Sequence, residues 1–344
     1  MTHYLSTAAL LPAILNLFAG NTNVTTDTGM TAEMKTYYSD YLIDLAEAEL
    51  VHEQFGQKHP IPKNGGKTIE FRKYNPLPAV PADLTLTEGV TPDGQKISME
   101  TIDATIKQYG GFVELSDMLI LTAIDNNVVQ ATRLIASQAA RTRDSIIREV
   151  INQGSNVQYA EGQVTSRAAL VGGSATESSN HYLTVNAIRR AVRTLKVVNA
   201  PRIGGSYVGI IHPDVAYDLV NDPKWEAVKS YSDPDDWYTG EIGRIAGVRF
   251  VEASEAKVFT GAGASGRDVY STLILGADAY GVTEVTGGGL EHIVKQLGSG
   301  GTSDPLNQRA TVGWKTTLAA ELLVNEYMVR IETTSTFTSP AAED

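Results

Sequence analysis

The chain has no cysteine among its 344 residues. Disulfides, thiolate zinc sites and cysteine nucleophiles are excluded, and stability must come from packing and association. Long apolar runs are missing as well. No stretch approaches the roughly 20 residues of a membrane-spanning helix. The N-terminal run "MTHYLSTAALLPAILNLFAG" is interrupted by Pro12 and preceded by no Lys or Arg. It therefore reads as an arm rather than a signal h-region. Positive charge is in short supply: 28 Lys and Arg face 40 Asp and Glu, a net charge of −12. Such a balance argues against tight nucleic-acid binding through the whole surface. The six histidines, at 3, 52, 59, 181, 212 and 292, include no i, i+4 pair of a helical metal site. No serine has the G-x-S-x-G setting of a hydrolase elbow. No cofactor is expected.

What is present is ordinary globular material, 42% hydrophobic and 20% charged, long enough for two or three subdomains. "PIPKNGGKTIEF" (60–71) ends in the Gly-Lys-Thr of a phosphate-binding loop, but the first glycine of that motif is replaced by Ile61. The residues after it alternate as a strand, so no helix N-terminus is offered to an anion. "SDPDDW" (232–237) gathers Asp233, Asp235 and Asp236 but lacks the Gly and distal Glu of a calcium loop. It reads as a solvated acidic loop. "GGG" (287–289) and "GSGG" (298–301) lack strand-to-helix context. His212, before Pro213, fits a cap better than a catalyst. One basic feature stands out. Between Ala187 and Arg202 lie Arg189, Arg190, Arg193, Lys196 and Arg202 and no acid. On a helix Arg189, Arg193 and Lys196 align on one face, open to solvent, to an acidic partner or to DNA.

Along the chain, residues 31–56 have helical spacing ending at Gly56. Residues 66–109 hold two alternating runs, "KTIEFRKY" and "KISMETIDATIKQYG", around a Pro- and Gly-rich middle. Ile97, Met99, Thr101, Asp103 and Thr105 share one face, Ile102 and Ile106 the other. This is a long two-stranded ribbon with too little apolar surface for a core of its own. It must lie on something else, which another subunit can supply. Ser116 caps a long helix over 117–153 with the stripe Ile124, Val128, Ala131, Ile135, Ala139, Ile146 and Val150. If unbroken at Asp125-Asn126-Asn127 it is about 55 Å long. Residues 154–182 and 287–305 are Gly-rich connections. From 183 the pattern is α/β: a helix capped by Thr184, a buried strand turning at His212-Pro213 into a helix, then further strands. The residues alone suggest a non-enzymatic assembly protein.

The run "LAEAELVHEQFGQKHPIPKNGGKTIEFRKY" resembles the N-terminal signature of the phage N-four-type major capsid proteins of tailed bacteriophages. "LTEGVTPDGQ", "KQYGGFVELSD", "IIHPDVAYDL", "GEIGRIAGVRFVE", "LGADAYGVTEV" and "IVKQLGSGGTSDPLNQRATVGWK" carry the same resemblance, from about Met34 to Arg330. It implies the α+β Hong-Kong-type capsid fold. In that fold, 1–60 would be the N-terminal arm and 61–112 the extended E-loop, which lies across an adjacent subunit. Residues 113–182 would hold the spine helix of the peripheral (P) domain and 183–288 the α/β axial (A) domain. Residues 289–344 would return to the P-domain sheet and end in a tail. The resemblance further implies a virion protein, assembled in the host bacterial cytoplasm, that self-associates into hexamers and pentamers. It would enclose double-stranded DNA without sequence-specific binding and meet portal, scaffolding or decoration proteins, with no membrane. Intersubunit contact is expected at Lys67, Phe71, Arg72, Lys73, Glu88, Lys96, Arg189, Arg193 and Lys196. Some members of the wider fold crosslink an E-loop lysine to an asparagine; Lys67, Lys73 and Lys96 lie in this arm, without an identifiable partner. The alternatives are an encapsulin-like nanocompartment shell and a soluble α/β enzyme.

Overall fold

The computed structural model describes residues 51–338 except 76, 78, 80–87, 92–93, 123–126, 161–163, 174–179, 226–242 and 302–303. Residues 1–50 of the expected 1–60 arm, most of the expected 31–56 helix and the acidic 232–237 segment thus lie outside the described residues. Residues 51–56 form turns. In chain order the strands are β1 (Gln57–Lys58), β2 (Thr68–Tyr74), β3 (Met99–Thr105), β4 (Lys107–Ser116), β5 (Val157–Tyr159), β6 (Tyr207–Ile211), β7 (Arg244–Ile245), β8 (Val248–Glu252), β9 (Val258–Phe259), β10 (Val269–Leu275), β11 (Tyr280–Thr283), β12 (Glu291–Lys295), β13 (Arg309–Leu322) and β14 (Met328–Thr333). The helices are α1 (Asp117–Thr122), α2 (Asn127–Ile151), α3 (Val185–Val197) and α4 (Pro213–Val220). They fall into two compact units, one built from 108–142 and 288–317, the other from 51–107, 143–287 and the chain after 318.

In the first unit, β4 and β12 both pair with β13. The register sets His292 opposite Trp314 and Ile293 opposite Gly313. Period-2 alternation turns Val312 and Trp314 toward α2, where they pack on Ile135, Ala136 and Ala139. The Trp314 indole N–H donates to Gln138 Oε1 at 3.0 Å, so a large buried ring leaves no orphan donor. Helix α1 starts where the Leu119 amide donates to Ser116 Oγ at 3.2 Å, the cap the sequence predicts.

In the second unit, a seven-stranded sheet runs β5-β14-β10-β6-β8-β7, with β9 beside β10. Strand β10, "VYSTLIL", is buried at all seven positions, as a central strand covered on both faces should be. Strands β6 and β8 are parallel, with α4 in the connection between them. Helix α3 buries Val185, Ala187, Ile188, Ala191, Val192 and Leu195, the 3.6-residue stripe facing the sheet. Thr184 caps it, accepting from the Ala187 amide at 3.2 Å. His212 caps α4, Nδ1 accepting from the Asp214 amide at 3.2 Å, and Pro213 takes the first helical position, where its missing N–H costs nothing. Burial pushes the His212 pKa down, against the pull of Asp214.

One expectation changes. The buried positions of α2 fall in neighbouring pairs, Ala131-Thr132, Ile135-Ala136, Ala139-Ala140 and Arg143-Asp144, followed by Ile147 and Ile151, while Ile146 and Val150 are only half-buried. The expected stripe stepped around the charged pair Arg143-Asp144; the real one runs through it. Residues 288–317 and those from 318 on fall in different units. β12 and the start of β13 belong to the first unit, whereas β14 pairs with β10 in the seven-stranded sheet. Gly66-Lys67-Thr68 does feed a strand, after a turn with Asn64 at φ 69° and Gly66 at φ 93°.

Ile188 is 0% exposed at the centre of the α3 face. Ile188→Ala should lower unfolding free energy by about 2–5 kcal/mol, read by urea denaturation, while Lys196→Ala on the opposite side should change it by less than about 0.5 kcal/mol.

Candidate assembly surfaces

The chain enters the ribbon from a buried anchor. Asp144 Oδ1 accepts from the Val51 and His52 amides at 3.0 and 2.8 Å, and Asp144 Oδ2 lies 2.6 Å from His52 Nδ1. From the preceding residue, Arg143 Nη2 donates to Glu53 Oε1 and Oε2, each at 3.0 Å, and reaches Glu284 at 3.5 Å. The Tyr280 hydroxyl donates to the His52 carbonyl; burial pushes that phenol's pKa up. For Asp144 burial raises the pKa, but the His52 side chain and the two amides outweigh it and hold the carboxyl below its ordinary value of 3.8. The segment 51–53 is thereby fixed before the chain reaches β1, which pairs with β11.

From there the ribbon is β2 and β3 in antiparallel register, Thr68 opposite Thr105 through Tyr74 opposite Met99. Its faces divide as the alternation predicts. Ile69, Phe71 and Lys73 point inward and are half-buried; Thr68, Glu70, Arg72 and Tyr74 point outward. The inward face does find footing on its own chain. Phe71 stacks edge-on against His59 at 5.8 Å. A Cβ added to Gly281 would lie 3.0 Å from Phe71 Cζ, so glycine there lets the ring seat. Lys73 Nζ comes within 4.0 Å of Glu326. The expectation of a ribbon without support in its own chain is therefore corrected for this one face.

The outward face has no such cover among the described residues. Tyr74 is 67% exposed, and Ile97, just before β3, is 74% exposed. Glu70 stands directly opposite Asp103, with Arg72 Nε 3.1 Å from Glu70. Lys67, Glu88 and Lys96 are exposed.

Two other surfaces are open. On α3, Arg189, Arg193 and Lys196 line a groove of about 460 Å³ with Val192, Val197 and Ala246. No residue of this groove borders the cavity beneath the ribbon, so the nine expected contact residues fall on at least two separate surfaces. In the first unit, the side of β4, β12 and β13 away from α2 forms a groove of about 690 Å³ floored by Gly110 and Gly313, with Phe112 65% exposed. Its floor is flat because a Cβ on Gly110 would sit 2.7 Å from the Trp314 carbonyl oxygen. Sequence reasoning missed this face; three strand-interior glycines, Gly110, Gly111 and Gly313, were the signal available. Among the described residues, no cluster of His, Asp or Glu is placed to hold a metal ion, and no helix is long and apolar enough to cross a membrane.

Comparison with known proteins bears on this arrangement. A family model described as phage capsid protein matches residues 99–328, two thirds of the chain. The chain belongs to the phage capsid protein family. Solved phage capsids share its fold at low identity. The capsid of Ralstonia phage GP4 matches at 14% identity and TM-score 0.64, covering 97% of this chain and 98% of that one. The capsid of cyanophage Pam1 matches at 13% and 0.64, covering 92% and 99%. That of cyanophage P-SCSP1u matches at 15% and 0.60, covering 83% and 88%. No curated protein matches the chain. The fold of this phage capsid protein is thus the α+β Hong-Kong-type fold expected from the sequence, and its role is that of a major capsid protein.

In this capsid protein the Asp144 anchor has a pH signature. A carboxyl titrating below its ordinary value stabilises the fold fully above that value and loses the contribution as pH falls through the lower folded value. Denaturation of wild type and Asp144→Asn from about pH 7 down to about pH 3 should show wild type more stable at neutrality and the gap closing at the acid end. Arg143→Ala should cost about 3–5 kcal/mol at neutrality, because it leaves buried Glu53 without its guanidinium.

Proposed function

We propose that this capsid protein assembles into hexamers and pentamers of an icosahedral phage head that encloses double-stranded DNA without reading its sequence. The observation that carries the proposal is the ribbon's outward face, on which Tyr74 and Met99, with Ile97 just before β3, are left exposed by the described residues. A two-stranded ribbon in water is marginal; one that turns large side chains outward gains by burying them on a neighbour. In this reading the ribbon is the E-loop, its contacts include Lys67, Arg72, Glu88 and Lys96, and Phe71 and Lys73 hold its base. α2 is the spine of the P-domain, and the unit built on the seven-stranded sheet supplies the A-domain. The glycine-floored face of β4, β12 and β13 is shaped to receive an extended segment of a sister subunit.

The role is structural rather than enzymatic. The negative balance fits it, because a lumen wall filled by a motor needs no general affinity for phosphates. Assembly takes place in the host cytoplasm, with portal, scaffolding or decoration proteins as the further partners. The family match favours a phage head over a nanocompartment shell or an enzyme.

Deleting residues 77–94 tests the proposal. The variant should keep the wild-type circular dichroism yet build no particles by electron microscopy. Regular shells from the deletion variant would refute the assigned role of the ribbon.

A further inference from the structure

The outer side of α3 lies away from the core, and among the described residues its cations meet no acidic partner. Arg189, Arg193 and Lys196 are exposed, at steps of four and three, so they stand over one another along one helix face. None of the three forms an ion pair with another described residue. Stacked cations repel and destabilise a helix slightly. Salt bridges within the chain occupy Arg72, Arg143, Arg148, Arg167, Arg309 and Arg330, but none of these three cations. The groove between the cations has apolar walls. Val192 lies at its base, and Val197 is 66% exposed. Ala246, at positive φ, lines the far side, and no carboxylate of the described residues lines the groove.

Charge decides what such a groove fits. The chain carries 12 more acidic than basic groups, so a second copy presents on average an acidic surface. Two copies of this face cannot meet each other across a two-fold axis, because cation would oppose cation at every position. The contact must then be heterologous, basic face to a different, acidic face of the next copy. That is the kind of contact which closes into a ring of any order. The apolar walls separate this partner from duplex DNA, whose phosphates would satisfy the cations and leave Val197 in water.

We propose that the α3 groove receives a carboxylate-bearing segment of a second copy of this chain, in a heterologous contact that builds the ring of the capsomer. This rests on the reading of the protein as a shell subunit and adds to it the chemistry of one contact.

Full-length wild type is compared with the reversal variant Arg189→Glu/Arg193→Glu/Lys196→Glu and the neutral variant Arg189→Gln/Arg193→Gln/Lys196→Gln. The readouts are light scattering and electron microscopy at low and high salt, with circular dichroism as the check on folding. Wild type should assemble, less readily at high salt. The reversal should raise the concentration needed for assembly by at least about tenfold, and the neutral variant should fall between the two. If the reversal variant misfolds, the neutral variant decides by the same criterion. Assembly of wild type and variants at equal concentration overturns the proposal while leaving the shell reading intact. A reversal variant that assembles normally but no longer shifts a short DNA duplex in a gel reassigns the face to DNA and also overturns it. Absence of any particles from wild type strikes the shell reading itself.

Discussion

Two carboxylates removed from water, Glu53 and Asp144, govern how the rest of this chain is laid out. A buried carboxylate is costly unless its lone pairs are met. Asp144 meets its own with two backbone amides and a histidine, and Glu53 with the Arg143 guanidinium, whose Nη2 donates to both carboxylate oxygens. All of these partners sit in residues 51–53 or on one turn of α2. The satisfied geometry therefore fixes residues 51–53 against α2 just before the chain enters β1. The ribbon begins within ten residues of β1, so its base inherits that position. Hydrophobic contacts alone would not do this, because they are non-directional and tolerate sliding by a residue. A one-residue slip in β2 would exchange Phe71 for Arg72 over Gly281 and turn the inward face outward.

The ribbon and α3 share a design. Each buries one face in its own chain and leaves the other open, and in each the open face mixes charge with large apolar groups. On β2 and β3 these are Tyr74 and Met99 beside Glu70, Arg72 and Asp103; on α3 they are Val197 beside three cations. A surface meant only for water has no use for exposed Ile97 and Tyr74. A surface meant for the core has no use for the charges. Surfaces between those limits suit contacts made after folding, when specificity and register matter as much as buried area.

Much of the fold was legible because it depends on short-range chemistry. The Thr184 and Ser116 caps, the turn at His212-Pro213, and the alternation of Ile69, Phe71 and Lys73 all need only neighbours in sequence. What escaped depends on distant partners. Arg143 and Asp144 continue the every-fourth-residue series of α2, but an apolar-stripe criterion rejects them, since nothing local reveals Glu53 and His52 waiting opposite. β14 reads as a strand from "MVRIET", yet only the structure assigns it to β10. Of the candidate assembly surfaces, the ribbon and the cation row were visible as patterns. The glycine-floored face of β4, β12 and β13 was not, because it needs two strands from opposite ends of the chain to be paired first.

The absence of any compact motif has its cause in the protein's task. An enzyme concentrates its chemistry in a few groups held within fractions of an ångström, so a handful of letters can betray it. A shell subunit spreads its task over wide surfaces, each residue contributing little, and many sequences can carry the same outline. That is why phage capsids matching at 13–15% identity superpose over most of the chain. Fold alone does not establish function, but here the outline is itself the working part: what must be kept is where the ribbon projects and which faces stay open.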